Sequence, residues 1–156
     1  MRKRLVSESR EAVPPAAGGW LDVGRLARVE FTSEEEARPV ESALVPGAAA
    51  GWRASAPGEQ TLRLLFDEPL TLRRIFLLFK EEETPRTQEF VLSWAAAGQP
   101  YREIVRQQFN LSPAGATREV EDYRVELDGV SALELRIVPD ISGGAARATL
   151  EQLRLA

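Results

Sequence analysis

Histidine and cysteine are both missing from this chain of 156 residues, and methionine occurs once. Without cysteine there is no disulfide, no thiolate nucleophile and none of the common thiolate zinc sites. Without histidine the usual general base near neutral pH is gone as well. Catalysis would have to come from Asp, Glu, Lys, Tyr or Ser, and in practice from paired carboxylates. Lysine is scarce too: of 20 basic residues only Lys3 and Lys80 are not arginine. With so much alanine beside it, the arginine reads first as the mark of a GC-rich genome. The formal charge of -4 leaves no broad surface for neutralising phosphates, so nucleic acid is a disfavoured partner. Apolar runs are short, and none approaches the roughly 20 residues of a membrane-spanning helix. The most apolar one is broken by Arg73 and Arg74. The opening "MRKRLVSESREAVPP" is basic with no apolar stretch behind it, which makes a poor secretory signal, and a cytoplasmic protein is expected.

What is present suits a single domain. Residues 1–19 are charged and then rich in Pro, Ala and Gly, ending in "AVPPAAGG", and read as a flexible tail; the folded part, 20–156, is expected to begin at Trp20. In "LARVEFTSE" Ala27, Val29 and Phe31 alternate with Arg28, Glu30 and Thr32, the pattern of a strand with one buried face. Val40, Ala43 and Leu44 have helical spacing for a turn or two, until Pro46-Gly47 ends it. "QTLRLLFDEP" and "LTLRRIFLLFK" read as two strands separated at Asp67-Glu68-Pro69, pairing antiparallel or passing to opposite sheets, with Arg73-Arg74 marking a bulge or the point where a face meets water. "QEFVLSWAAAGQPYREIVRQQF" outlines a hairpin. "REVEDYRVELDG", "ALELRIVPD" and "ATLEQLRLA" supply three more strands, for about eight in all with hardly any helix. A sheet with one oily face must cover it with another sheet, so the fold class is all-β: an antiparallel β-sandwich of jelly-roll type.

The order of these pieces resembles the discoidin, or coagulation-factor type C, family of galactose-binding-like domains. The resemblance is carried by "ARVEFTSE", "PVESALVPG", "GWRASAPGEQTLRLLFDEPLTLRRIFLLF", "TQEFVLSWAAAGQPYREI" and "ARATLEQLRL", most of the span from Trp20 to Ala156. "GWRASAPGEQTLRLLF" and "QQFNLSPAGATREV" are also similar to the N-terminal domain of the X-ray repair cross-complementing scaffold protein. Both resemblances imply a sandwich that holds a partner without catalysis. The first implies that Trp52 packs where the sandwich closes. Sugar-binding members often hold calcium with an Asp-Gly after the helical turn and an acid in the last strand. Here those positions read Pro46-Gly47 and Gln152, with Glu151 beside it, so neither a metal nor another cofactor is expected.

Glu34-Glu35-Glu36 and Glu81-Glu82-Glu83 read as solvated edges rather than catalytic pairs. Gly18-Gly19 and Gly143-Gly144 lack the spacing of a phosphate loop. Recognition is therefore expected in loops at one end of the sandwich, with Arg53, Glu82, Arg86, Asn110 and Asp140 as the ligand-binding candidates. The ligand expected there is a carbohydrate or another polar molecule, held by aromatic stacking and a few aimed polar groups. The alternative is a protein-interaction scaffold that uses an exposed sheet face containing Val91, Val105 and Phe109; it requires those three to form one apolar patch.

Overall fold

The computed structural model describes residues 19–156 except 48, 49, 113 and 116. The expected tail, apart from Gly19, lies outside the described residues. Along the chain come α1 (Val23–Leu26), β1 (Ala27–Phe31), α2 (Glu41–Leu44), β2 (Trp52–Arg53), β3 (Gln60–Lys80), β4 (Arg86–Ala96), β5 (Arg102–Leu111), β6 (Arg118–Val138), β7 (Thr149–Leu150) and β8 (Gln152–Leu155). The architecture is the expected antiparallel β-sandwich, and eight strands are present among the described residues.

Their composition differs from the expectation. Asp67-Glu68-Pro69 does not separate two strands: β3 runs through it for 21 residues, and β6 likewise joins two expected strands into one of 21. The two long strands pair with each other along both halves, with register shifts between Leu65 and Leu70, Leu70 and Leu72, and Leu72 and Arg74. Pro69 falls where the ladder is interrupted, so its missing N–H costs no hydrogen bond. On the partner strand Gly129 takes φ 68°, which a side chain would resist. The shift at Leu72/Arg74 is the bulge expected at the arginine pair.

These shifts crease the ribbon, so each long strand serves both layers. One layer has the order β1, first half of β3, second half of β6, β4, β5. The other consists of β8, the second half of β3 and the first half of β6. Alternation then decides the core. Ile75, Leu77 and Phe79 of β3 face Phe90 and Leu92 of β4, and all five are essentially inaccessible to solvent. Phe79 meets Phe90 at 5.2 Å and Phe109 at 5.4 Å between ring centres, an aromatic cluster tying the layers together. Burying each such ring contributes on the order of 2–3 kcal/mol.

In β1, Ala27 and Val29 are half-buried as the alternation requires, but Phe31 is 43% exposed: it ends an edge strand with a single neighbour. Val40, Ala43 and Leu44 are buried around α2, as their spacing predicts. The outer face of the smaller layer is covered in part by Trp20, 6.1 Å from Phe76 and above Arg74, whose guanidinium grips Asp122 through two hydrogen bonds of 2.9 and 2.7 Å. No helix among the described residues is long and apolar enough to cross a membrane.

Candidate functional site

The short β2–β7 ribbon builds the site. Trp52 is fully buried and donates its indole N–H to the Ser33 carbonyl at 2.9 Å, the structural plug that the resemblance implied. Before it, Gly51 passes so close to β7 that a Cβ would stand 2.4 Å from the Leu150 carbonyl oxygen. That close approach requires glycine. Arg53, opposite Thr149, is thereby fixed beside the end of β3 and the loop that follows it.

An open cleft of about 290 Å³ lies there, lined by Arg38, Ala50, Arg53, Lys80, Glu81, Glu82, Glu83, Thr149 and Glu151. Its charges are interlocked. Arg38 reaches Glu151 at 3.5 Å and donates to the Gly51 carbonyl at 3.2 Å. Arg53 lies 3.4 Å from Glu83 and 3.6 Å from Glu35, which also accepts from Arg147 at 2.9 Å. Lys80 holds Glu82 at 2.9 Å. That hydrogen bond, then the Lys80 charge and a smaller pull from Arg38, keeps the Glu82 carboxyl below its ordinary range.

Beneath the cleft Arg86 is buried, its side chain wholly enclosed. It donates to the Arg147 carbonyl at 2.6 Å and Thr149 Oγ1 at 3.1 Å, and pairs with Glu81 at 3.1 Å. Burial pushes the Arg86 pKa down, and Glu81 opposes this. Glu81 in turn accepts from the backbone N–H groups of Glu83 and Thr84 at 3.0 and 3.4 Å, which ties the Glu81–Arg86 loop to its base.

Of the sequence candidates, Arg53 and Glu82 line this cleft and Arg86 underlies it. Asn110 and Asp140 stand apart, on either side of Thr87. Asn110 Oδ1 accepts from the Thr87 hydroxyl at 2.6 Å. Asp140 accepts from the Ser142 hydroxyl at 2.7 Å and its N–H at 3.1 Å, bonds that hold its carboxyl below the usual range. Neither is among the residues lining the cleft. Arg38, Lys80, Thr149 and Glu151 line it without having been singled out as ligand-binding residues, whereas Glu81 and Glu83 belong to the same Glu81–Arg86 loop as the candidates Glu82 and Arg86. Lys80 carried a visible signal, as one of two lysines next to an acidic run. The pairing of Arg38 with Glu151, far apart in sequence, carried none.

Val91, Val105 and Phe109 do not form one exposed patch. Register puts Val105 opposite Leu92 and Phe109 opposite Gln88 on the inner face, whereas Val91 lies opposite Arg106 on the outer face and is 6% exposed. Phe109 packs into the aromatic cluster. The sheet-face alternative is left without its expected apolar surface. As for calcium, Glu151 is engaged by Arg38, and among the described residues no group of three or more acidic side chains is placed to hold a metal.

No family profile matches the chain, and no curated protein matches it in sequence. Solved structures do. The family 32 carbohydrate-binding module of NanJ from C. perfringens, solved with galactose, superposes with a TM-score of 0.64 at 13% identity, covering 87% of this chain and 96% of that one. A third family 32 module from a family 31 glycoside hydrolase of Clostridium perfringens gives 0.64 at 17% identity, covering 92% and 98%. The N-terminal domain of the single-strand break repair protein XRCC1 gives 0.61 at 13%, covering 83% and 97%. The chain therefore shares the β-sandwich fold of these domains, the fold that both resemblances implied.

Proposed function

We propose that this protein is a non-catalytic binding module that takes a carbohydrate in the cleft formed by Arg38, Arg53, Lys80, the Glu81–Glu83 loop and Glu151. The observation that carries this reading is the cleft itself, a concave and densely polar recess at the loop end of a rigid sandwich. The fold it shares with carbohydrate-binding modules supports the choice of ligand. A sugar presents vicinal hydroxyls, each both donor and acceptor, and this cleft offers guanidinium forks and carboxylate oxygens side by side.

The expected aromatic platform has no provider, since none of the residues lining the cleft is aromatic and Trp52 is sealed in the core. Binding would then rest on charge-assisted hydrogen bonds. The non-enzymatic reading rests on the same arrangement. Of the carboxylates lining the cleft, the two best enclosed each have an arginine partner, Arg86 for Glu81 and Arg38 for Glu151, so neither is poised as a free acid or base.

A glycan array probed with the wild type and Arg53→Ala tests the proposal. A defined set of glycans is expected to bind, and the variant to weaken them by about 10- to 100-fold through loss of charged hydrogen bonds. Binding at background level by protein with an intact fold would rule the reading out.

A further inference from the structure

The cleft is more cationic than its composition suggests, because its charges differ in how firmly they are held. Arg38 and Arg53 are mostly enclosed, with side chains 29% and 28% exposed, and Arg38 is further fixed by the Gly51 carbonyl. Glu82 and Glu83 are 65% and 68% exposed and sit in the loop between β3 and β4. Glu81 is matched by buried Arg86, and Glu35 by Arg147. Were the two exposed glutamates to swing outward, three cations, Arg38, Arg53 and Lys80, would be left with Glu151 and with Glu35, which stands 3.6 Å from Arg53 and is shared with Arg147. Exposed ion pairs of this kind add little to stability, so the outward swing costs little. The pairing of Arg53 is also poor: its Nε makes no hydrogen bond, the Glu35 carboxylate standing 3.6 Å away. That Nε is shut off from solvent, but Nη1 is held only by the long 3.4 Å contact to exposed Glu83, so this end of the fork can re-pair with a planar, two-oxygen acceptor.

We propose that the cleft selects glycans bearing a carboxylate, and that Glu82 and Glu83 are built-in competitors, occupying Lys80 and Arg53 until the acidic sugar displaces them. This rests on the carbohydrate reading of the same cleft. Binding exchanges two flexible internal carboxylates for one rigid external one, so ordering costs are small for a sugar whose carboxylate is fixed on its ring. A neutral sugar leaves the glutamates in place and finds the arginines occupied.

The test is isothermal titration with trigalacturonate, trimannuronate and a sialyllactose, each beside its methyl ester, which keeps the shape and removes the charge. The proteins are the wild type, Glu82→Gln/Glu83→Gln, and a control of equal charge, Glu68→Gln/Glu126→Gln, at two exposed positions outside the cleft. At least one acid should bind, with its ester about tenfold weaker or worse. The cleft variant should bind that acid about three- to tenfold more tightly than the wild type, and the control should not. Esters or neutral glycans binding as well as the acids, or a cleft variant no tighter than the control, would overturn charge selection and leave the carbohydrate reading standing. No binding of any glycan, here or on the array, would remove both.

Discussion

Replacing Arg86 by methionine keeps an aliphatic stem in the space and deletes the charge, which isolates what the guanidinium does. Three interactions go: the hydrogen bonds to the Arg147 carbonyl and Thr149 Oγ1, and the contact with Glu81. Hydrogen bonds from a charged donor contribute roughly 1.5–3 kcal/mol each. Against that loss stands relief of the burial penalty that depresses the Arg86 pKa. What tips the balance is Glu81, 10% exposed, which is left with only two backbone donors. Removing one partner of a buried pair typically costs about 3–5 kcal/mol, and about 3 is expected here. Glu81→Gln strands the guanidinium instead and should cost about 2–3 kcal/mol. The double variant strands neither, so the two losses should not add, and a coupling of about 2 kcal/mol is expected between the sites. Urea denaturation of the four proteins measures it. Additive losses, or an Arg86→Met loss below about 0.5 kcal/mol, would show that the pair beneath the cleft does not hold it together.

Gln88 and Asp140 give two further checks. Gln88 faces Phe109 in the core, is wholly inaccessible to solvent and has no hydrogen-bond partner for either amide atom. Gln88→Met preserves the shape and removes the desolvation cost, so stability should rise by about 1–2 kcal/mol in thermal or urea melts. Asp140 is held below its ordinary pKa chiefly by the Ser142 hydroxyl, with the Ser142 N–H second. Because its folded value is depressed, its contribution to stability is present above the range where a free aspartate protonates and lost as the pH falls through the folded value. Ser142→Ala should raise the Asp140 pKa in an NMR titration, and the stability difference between the two proteins should vanish in strong acid.

Period-two alternation placed β1, the β4–β5 hairpin and the inner faces correctly, because burial on one side of a pleated strand leaves an unmistakable trace in Ala27-Val29 and Phe90-Leu92. The same reasoning cut β3 at Asp67-Glu68-Pro69, where composition says turn. Whether such a tripeptide reverses the chain or is absorbed as a bulge depends on the ladder opposite, here the stretch of β6 around Gly129, which is some sixty residues away. Loop candidates were legible where their own neighbourhood spoke, as at Trp52-Arg53. Asn110 and Asp140 share the end of the sandwich but were grouped with the cleft by position along strands, and lateral distance between strands is written in pairing alone. Arg38 and Glu151 meet only because Gly51 lets β2 lie against β7.

The creased pair of long strands has a consequence for how the molecule comes apart. Because β3 and β6 belong to both layers, neither leaf can peel away without tearing the backbone ladder of the other, and no half-structure retains a complete sheet to survive on. Local openings should therefore be confined to the margins, β1, β5, β8 and the outer first half of β6, while the shared crease lets go only in global unfolding. Its residues must also find partners nearly sixty positions away before the crease can form, which makes that long-range encounter the natural bottleneck of folding.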